Sequence, residues 1–403
     1  MSPKLPWMSR NIVLLFAARA LRGFGDGFAV VVLPAYLAAI GFNATAIGVV
    51  AASALFGTAL FTLGVGLIAP RFDLRNLLIA GAALMIGTGL AFPQAQHIVF
   101  LVGVAFLGSI NPSTGDIGVL IPIEHAMISY GVPDAERTRA FARYSLVGAL
   151  SMAVGSLAAA APDFLVTQGF TRIAAFQAMF YAYALLGLAS AAIYLKLPHA
   201  HVEKRPPAVP LTVSRGVVYK LAALFSLDAF AGGFIVQSLL AVWLFTRFDM
   251  SVSAAGVFFF WTSTLSAFSY PAAARISRVF GLVNTMVFTH IPSSICLILA
   301  AFAPNLPLAL GLLLVRAALS QMDVPTRSSY VMAVVTPPER PAAASVTAVP
   351  RSLASSLSPA LAGMLLTTSF LGLPLILCGA LKIVYDVALL YSFRHIKPPE
   401  EGG

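Results

Sequence analysis

The chain has 403 residues, of which 59% are hydrophobic and 10% charged, with a formal net charge of +10. So few charges cannot clothe the surface of a soluble domain, where roughly a quarter of residues are charged. Two cysteines give no disulfide scaffold, and basic residues scattered between apolar runs, not gathered beside aromatics, argue against a nucleic-acid surface.

The first apolar run, 12–40, is too long for a signal-peptide core and is expected to remain as a helix. Further spans are expected at 46–68, 75–93, 98–124, 138–161, 170–195, 218–246, 253–278, 282–303, 305–331, 341–367 and 371–393. Each is long enough, at about 1.5 Å per residue, to cross a hydrocarbon core of roughly 30 Å. The expected fold class is an all-α membrane protein of about twelve spanning helices in two related six-helix halves.

Lys and Arg concentrate in alternate gaps: Lys4 and Arg10, Arg71 and Arg75, Arg137 and Arg139, Lys204, Arg205 and Arg215, Arg275 and Arg278, Arg340, then Arg394 and Lys397. The other side keeps little beyond Arg172 and Arg247. The positive-inside rule then places both termini in the cytosol of a bacterial inner membrane. Residues 198–215, with four prolines, read as a cytosolic linker between a bundle over 1–197 and another over 216–403. His199 and His201 read as linker surface, since two histidines without a third ligand make a poor metal site.

The halves overlay weakly but in frame. Phe28 to Phe42 matches Phe234 to Phe248, each followed by a short polar turn in which Thr45 or Ser251 is the expected helix cap. That frame sets Arg22 opposite Asp228.

Taken whole, the chain resembles the major facilitator superfamily. The most specific element is the loop after the second helix, whose family pattern of Gly, small residues, Asp, Arg, aromatic, Gly, Arg, Arg appears as Gly66, Ala69, Pro70, Arg71, Phe72, Asp73, Leu74, Arg75. Pro70 stands where the family has the aspartate of a cytosolic gate, and the resemblance leaves Asp73 and Arg71 as gating candidates. Two antiporter signatures are missing: Val104 replaces an arginine four residues before Gly108, and Ser156 follows Gly155 in place of proline. The resemblance implies two six-helix bundles with a substrate cavity between them.

Charges inside apolar spans cost several kcal/mol even on lenient scales, so they are expected to line a cavity or to pair. Arg19, Arg22 and Asp26 fall on one face of the first helix, where Arg22 and Asp26 have the spacing of an ion pair. Asp228 lies near mid-depth of the seventh span, with Arg22 or Arg19 as its expected partner. In the tenth span Arg316 is expected near the midplane, and Asp323 with Arg327 read as a gate or structural pair, with Pro325 interrupting the helix. Asp116 is expected to meet water in a broken fourth helix, and Glu124 to pair at the interface with Arg139 or Arg143. Arg351 reads as a cavity charge in the eleventh span, and His290 as a packed histidine.

The deep charges lean positive, and the arginine fork suits carboxylate or phosphate-like oxygens. The expected substrate is therefore a small organic or inorganic anion, bound by Arg19, Arg22, Arg316 and Arg351, with Asp26 and Asp228 as proton-coupling sites and Asp73, Arg71, Asp116, Asp323 and Arg327 as gating residues. Proton-coupled symport, antiport or exchange by alternating access is the expected process, and no cofactor, metal or nucleic acid is called for. Membrane lipid and a small molecule are the expected partners of a monomer. Phe28, Phe234, Phe258 to Phe260, Trp243 and Trp261 leave open an exporter of amphipathic compounds, and a receptor that has lost transport is a further alternative.

Overall fold

The computed structural model describes residues 8–68, 71–111, 118, 120–200 and 210–394. Among the described residues sixteen α-helices run in chain order: α1 (Arg10–Ala39), α2 (Ala44–Ile68), α3 (Leu74–Ala91), α4 (Ile98–Leu107), α5 (Leu120–Gly131), α6 (Asp134–Leu157), α7 (Ala161–Thr167), α8 (Arg172–Tyr194), α9 (Arg215–Gly233), α10 (Gln237–Phe248), α11 (Val252–Phe280), α12 (Leu282–Ala301), α13 (Leu306–Ser320), α14 (Asp323–Val334), α15 (Arg340–Leu365) and α16 (Leu373–Phe393). Among the described residues none is in a strand, and ten helical stretches are long and apolar enough to cross a membrane.

Large apolar side chains lie bare on the outside, among them Val99 at 79%, Val279 at 75% and Leu185 at 66% exposure. In water such a surface would drive association; in lipid it costs nothing, which fits an all-helical, multi-spanning membrane protein.

Three expected spans are interrupted. The fourth divides into α4 and α5, and Asp116 lies outside the described residues. The seventh breaks at Phe234–Val236, between α9 and α10. The tenth breaks at Gln321 and Met322, ahead of Pro325, which sits third in α14, where a helix needs no amide donor. The α2 cap is Asn43, whose Oδ1 accepts from Ala46 N at 3.0 Å, not Thr45; Ser251 does cap its helix, accepting from Ala254 N at 3.2 Å.

Two compact units emerge, Met1–Arg205 with Met250–Phe260, and Pro206–Asp249 with Trp261–Gly403. In the first, α1 packs against α6 and α8, α3 against α8, and α2 against α4. The α1–α6 contact is backbone-close: a Cβ on Gly27 would stand 2.1 Å from the Met152 carbonyl oxygen, and one on Gly155 2.1 Å from that of Phe24. Small residues that let helices touch are the usual adhesive in lipid, where apolar burial gives little drive. Ile12, Leu15, Leu74, Leu78, Tyr144 and Tyr194 belong to its core.

In the second unit α9 packs against α15 and α16, and α12 against α13, α14 and α16. Its core includes Leu221, Phe225, Met286, Tyr330, Tyr385 and Leu389. In the first unit the core tyrosines Tyr144 and Tyr194 donate their hydroxyls to the buried Glu124 carboxylate.

Candidate functional site

In the first unit α1 contributes Arg19, Arg22 and Asp26 from one face. Arg22 is buried, and its fork meets the Glu124 carboxylate of α5 with both prongs, Nη1 to Oε1 at 2.9 Å and Nη2 to Oε2 at 2.6 Å. Tyr194 donates to Glu124 Oε1 at 2.7 Å, and Tyr144 donates to Oε2. A wholly buried carboxylate is thereby supplied with four donors, the condition under which such a group stays charged. This corrects two expectations: Glu124 is no interfacial partner of Arg139 or Arg143, and Arg22 does not pair with Asp26.

Asp26 is only half-buried and accepts from Tyr183 at 3.1 Å; that hydroxyl lies 3.1 Å from Ser109 Oγ. Among the described residues Asp26 forms no ion pair within 4.0 Å. Arg19 lies over the Tyr144 ring, 5.3 Å from its centroid. These side chains border a pocket whose walls include Thr58, Leu84, Met85, Ser109, Asn111, Leu120 and Ile121. Arg19, Arg22 and Asp26 are thus brought together, as one helical face requires.

At one end of this unit, Asp73 caps α3, accepting from Asn76 N at 3.3 Å, and also holds His199 Nδ1 at 2.9 Å. Burial raises its carboxyl, but His199 and the backbone amides outweigh that and hold it below the usual carboxylate range. His199 meets Arg75 on its other nitrogen at 2.9 Å, so it is a structural ligand of the loop and not plain linker surface. Arg71 is exposed, and His201 lies outside the described residues.

The second unit holds a longer network. Asp228 of α9 accepts from Lys382 Nζ of α16 at 2.6 Å and from Arg327 of α14 at 3.2 Å. The expected partners Arg22 and Arg19 are replaced by these two cations of its own unit. Arg327 also pairs with Asp323, as their four-residue spacing suggested. Behind Lys382 stands His290, buried, with Nε2 at 3.3 Å from Nζ and Nδ1 at 3.0 and 3.1 Å from the Asp386 oxygens. Sequence reasoning missed Lys382 and Asp386; the signal was a lysine alone in an otherwise apolar 21-residue helix, with an acid four residues on.

Arg316 is half-buried on α13, and its carbonyl accepts from Ser293 of α12 at 3.4 Å. Among the described residues its guanidinium has no ion pair, and the same holds for Arg351 of α15. Arg22, Arg327 and Lys382 each hold a carboxylate. Among the described residues no group of three or more His, Cys, Asp or Glu side chains could hold a metal.

The sequence model of the Major Facilitator Superfamily matches residues 15–246. The chain belongs to the major facilitator superfamily. It is therefore a multi-pass membrane transporter and not an enzyme, and works by secondary active transport with alternating access. The chain is 28% identical to the uncharacterized membrane protein YJR124C of Saccharomyces cerevisiae over 427 residues, covering 97% of this chain and 95% of that one. Its fold resembles the crystal structure of the nucleoside transporter NupG, with a TM-score of 0.75, 14% identity and coverage of 96% and 100% of the two chains. It also resembles a bacterial homolog of the human lysosomal transporter Spinster, inward-facing and occupied, with a TM-score of 0.73, 18% identity and coverage of 97% and 98%. At these identities the solved structures speak to the fold of this superfamily member.

Proposed function

We propose that this transporter moves a small organic or inorganic anion, engaged at Arg316, with coupling to protons or to exchange of a second solute. The observation that carries the reading is the lack of any ion pair at Arg316 among the described residues, while Arg22, Arg327 and Lys382 all have carboxylates. A membrane-embedded guanidinium without a counter-ion is costly, and an arriving carboxylate or phosphate-like group offsets that cost with two parallel bonds. Arg351, within electrostatic reach of Arg327 first and of Asp228 and Asp323 after it, adds positive potential to the same unit. Arg19, on the wall of the first unit's own pocket, is proposed as an anion contact of that unit, whereas Arg22 acts through its bond to Glu124.

Asp26 is the first proton acceptor in this scheme, being a half-buried carboxylate held by one hydroxyl. Asp228 is the second, since Lys382 and Arg327 can release it when an anion competes for them. Asp323 with Arg327 forms a gate that answers to Asp228, and Asp73 with Arg71 a weaker one, because Asp73 already serves α3 and His199.

Twelve spans in two six-helix bundles fit this chemistry. The ten apolar stretches are joined by the interrupted α4–α5 pair and by α15, which at 26 residues is about 39 Å long. The bundles cover 1–197 and 216–403, with a linker over 198–215, and the Lys and Arg gaps favour both termini in the cytosol of a monomer.

One observation favours a second reading, an exporter of amphipathic compounds: Leu84, Met85, Leu120 and Ile121 give the Asp26 pocket an apolar wall. Flux into proteoliposomes under an imposed pH gradient separates the two. Uptake or exchange of labelled anions supports the proposal; flux of lipophilic cations without anion flux replaces it with the second.

A further inference from the structure

His290 reaches Asp386 with one ring nitrogen and Lys382 with the other, behind Asp228. With Asp386 ionised and able only to accept, Nδ1 must carry the hydrogen, and Nε2 is then the lone pair that receives a Lys382 N–H. Asp228 Oδ1 lies 3.9 Å from the same nitrogen, so Nε2 faces a carboxylate and an ammonium together.

We propose that His290 is the proton-binding residue that sets whether Lys382 is held or released, an inference that rests on the anion reading above. A proton from hydronium forms the Nε2–H bond as the donor O–H bond breaks and water leaves. The ring becomes an imidazolium balanced by Asp386. Nε2 then has no lone pair for Lys382, and two like charges face each other over a distance that was 3.3 Å. Lys382 loses one of its two anchors, while Asp228 keeps Arg327 at 3.2 Å.

Lys382 then becomes available to an anion beside Arg316. α12 packs against both α16, which carries Lys382, and α13, which carries Arg316, and Ser293, one turn beyond His290 on α12, donates to the Arg316 carbonyl. Facing His290 are Asp386, Lys382 and Tyr385 of α16 and Asp228 of α9, with Arg327 and Asp323 of α14 beyond Asp228. The Tyr385 hydroxyl is buried and has no hydrogen-bond partner among the described residues, a ready donor for an oxygen that enters. Proton and anion therefore bind with positive linkage, each favouring the other.

The test uses the full chain in nanodiscs, labelled with 15N in its histidine rings and assigned with His290→Gln. In the same sample, calorimetry follows sulfate and benzenesulfonate, neither of which titrates between about pH 5 and about pH 9. The expected result is a neutral His290 ring protonated at Nδ1 at high pH, passing to the doubly protonated form on acidification. Anion affinity is expected to rise up to about tenfold per pH unit through that transition in the wild type, and the part of the rise that follows the ring transition is expected to be absent in His290→Gln, which keeps only the dependence set by Asp26 and Asp228. Asp386→Asn, which removes the counter-ion, is expected to move the transition to lower pH. A ring protonated at Nε2 alone, or a pH slope through the ring transition that is the same in His290→Gln as in the wild type, overturns the inference and leaves anion transport standing. Failure of the wild type to bind either anion overturns the anion reading and this linkage with it.

Discussion

Glu124 receives both prongs of the Arg22 guanidinium, at 2.9 and 2.6 Å, across 102 residues of sequence. The pair ties α1 to α5 inside the first unit, and the Tyr144 and Tyr194 hydroxyls complete the donor set of the carboxylate. Removing one partner strands a buried charge; removing both strands none.

Glu124→Met and Arg22→Met are therefore each expected to destabilise the fold by about 3–5 kcal/mol, while the double Met variant recovers most of the loss. Reversible unfolding in mixed micelles measures the cycle. Additive losses would mean that the two residues do not act as a pair.

Gly27 admits the Met152 carbonyl so closely that a methyl group would fall 2.1 Å from its oxygen. Gly27→Ala should force α1 and α6 apart at a cost of about 1–3 kcal/mol, and Gly27→Leu should abolish the folded yield. Fluorescence-detected size exclusion of detergent extracts checks the order wild type, Ala, Leu.

The helix pattern was legible because apolar runs of about 20 residues leave few other solutions in lipid. The Asp323–Arg327 pair was legible too, since a four-residue spacing puts both on one face. Glu124 was misplaced because the helix predicted over 98–124 is in fact divided, which moves the residue from a span's end into the body of α5. Asp228 was assigned a partner by repeat symmetry, yet Lys382 and Arg327 come from α16 and α14, and no periodicity encodes contacts separated by 154 and 99 residues. His290 was read as packing because a lone histidine in an apolar run carries no sign of Asp386, 96 residues away.

Glu339 accepts from the backbone N–H groups of Thr212 at 2.7 Å, Val213 at 3.0 Å and Ser214 at 3.0 Å, just ahead of α9. The Thr212 hydroxyl also donates to it, and together these bonds hold its carboxyl well below the usual glutamate range. A depressed folded value means that the stabilisation is complete above the ordinary glutamate value of 4.5 and fades only as pH falls below it, through the folded value. Hydrogen exchange at Thr212, Val213 and Ser214 near neutral pH should be faster in Glu339→Gln than in wild type. Equal protection in both would remove the capping role.

Asp228→Asn should retain exchange of anion for anion but lose accumulation driven by a pH gradient, since the neutral amide can neither take up nor release the coupled proton. Asp26→Asn in the Tyr183 pocket should weaken the same coupling. Paired counterflow and gradient-driven assays in proteoliposomes separate these effects. Undiminished gradient-driven accumulation in both variants would remove the two carboxylates from coupling.

The central claim is that Arg316 meets the transported anion, and calorimetric titration of anions onto folded Arg316→Lys protein tests it most directly. Lysine keeps the charge and loses the rigid two-point fork, so affinity for the best wild-type anion should fall by about tenfold or more while folding and yield stay near wild type. Unchanged affinity in a folded Arg316→Lys protein would contradict the account.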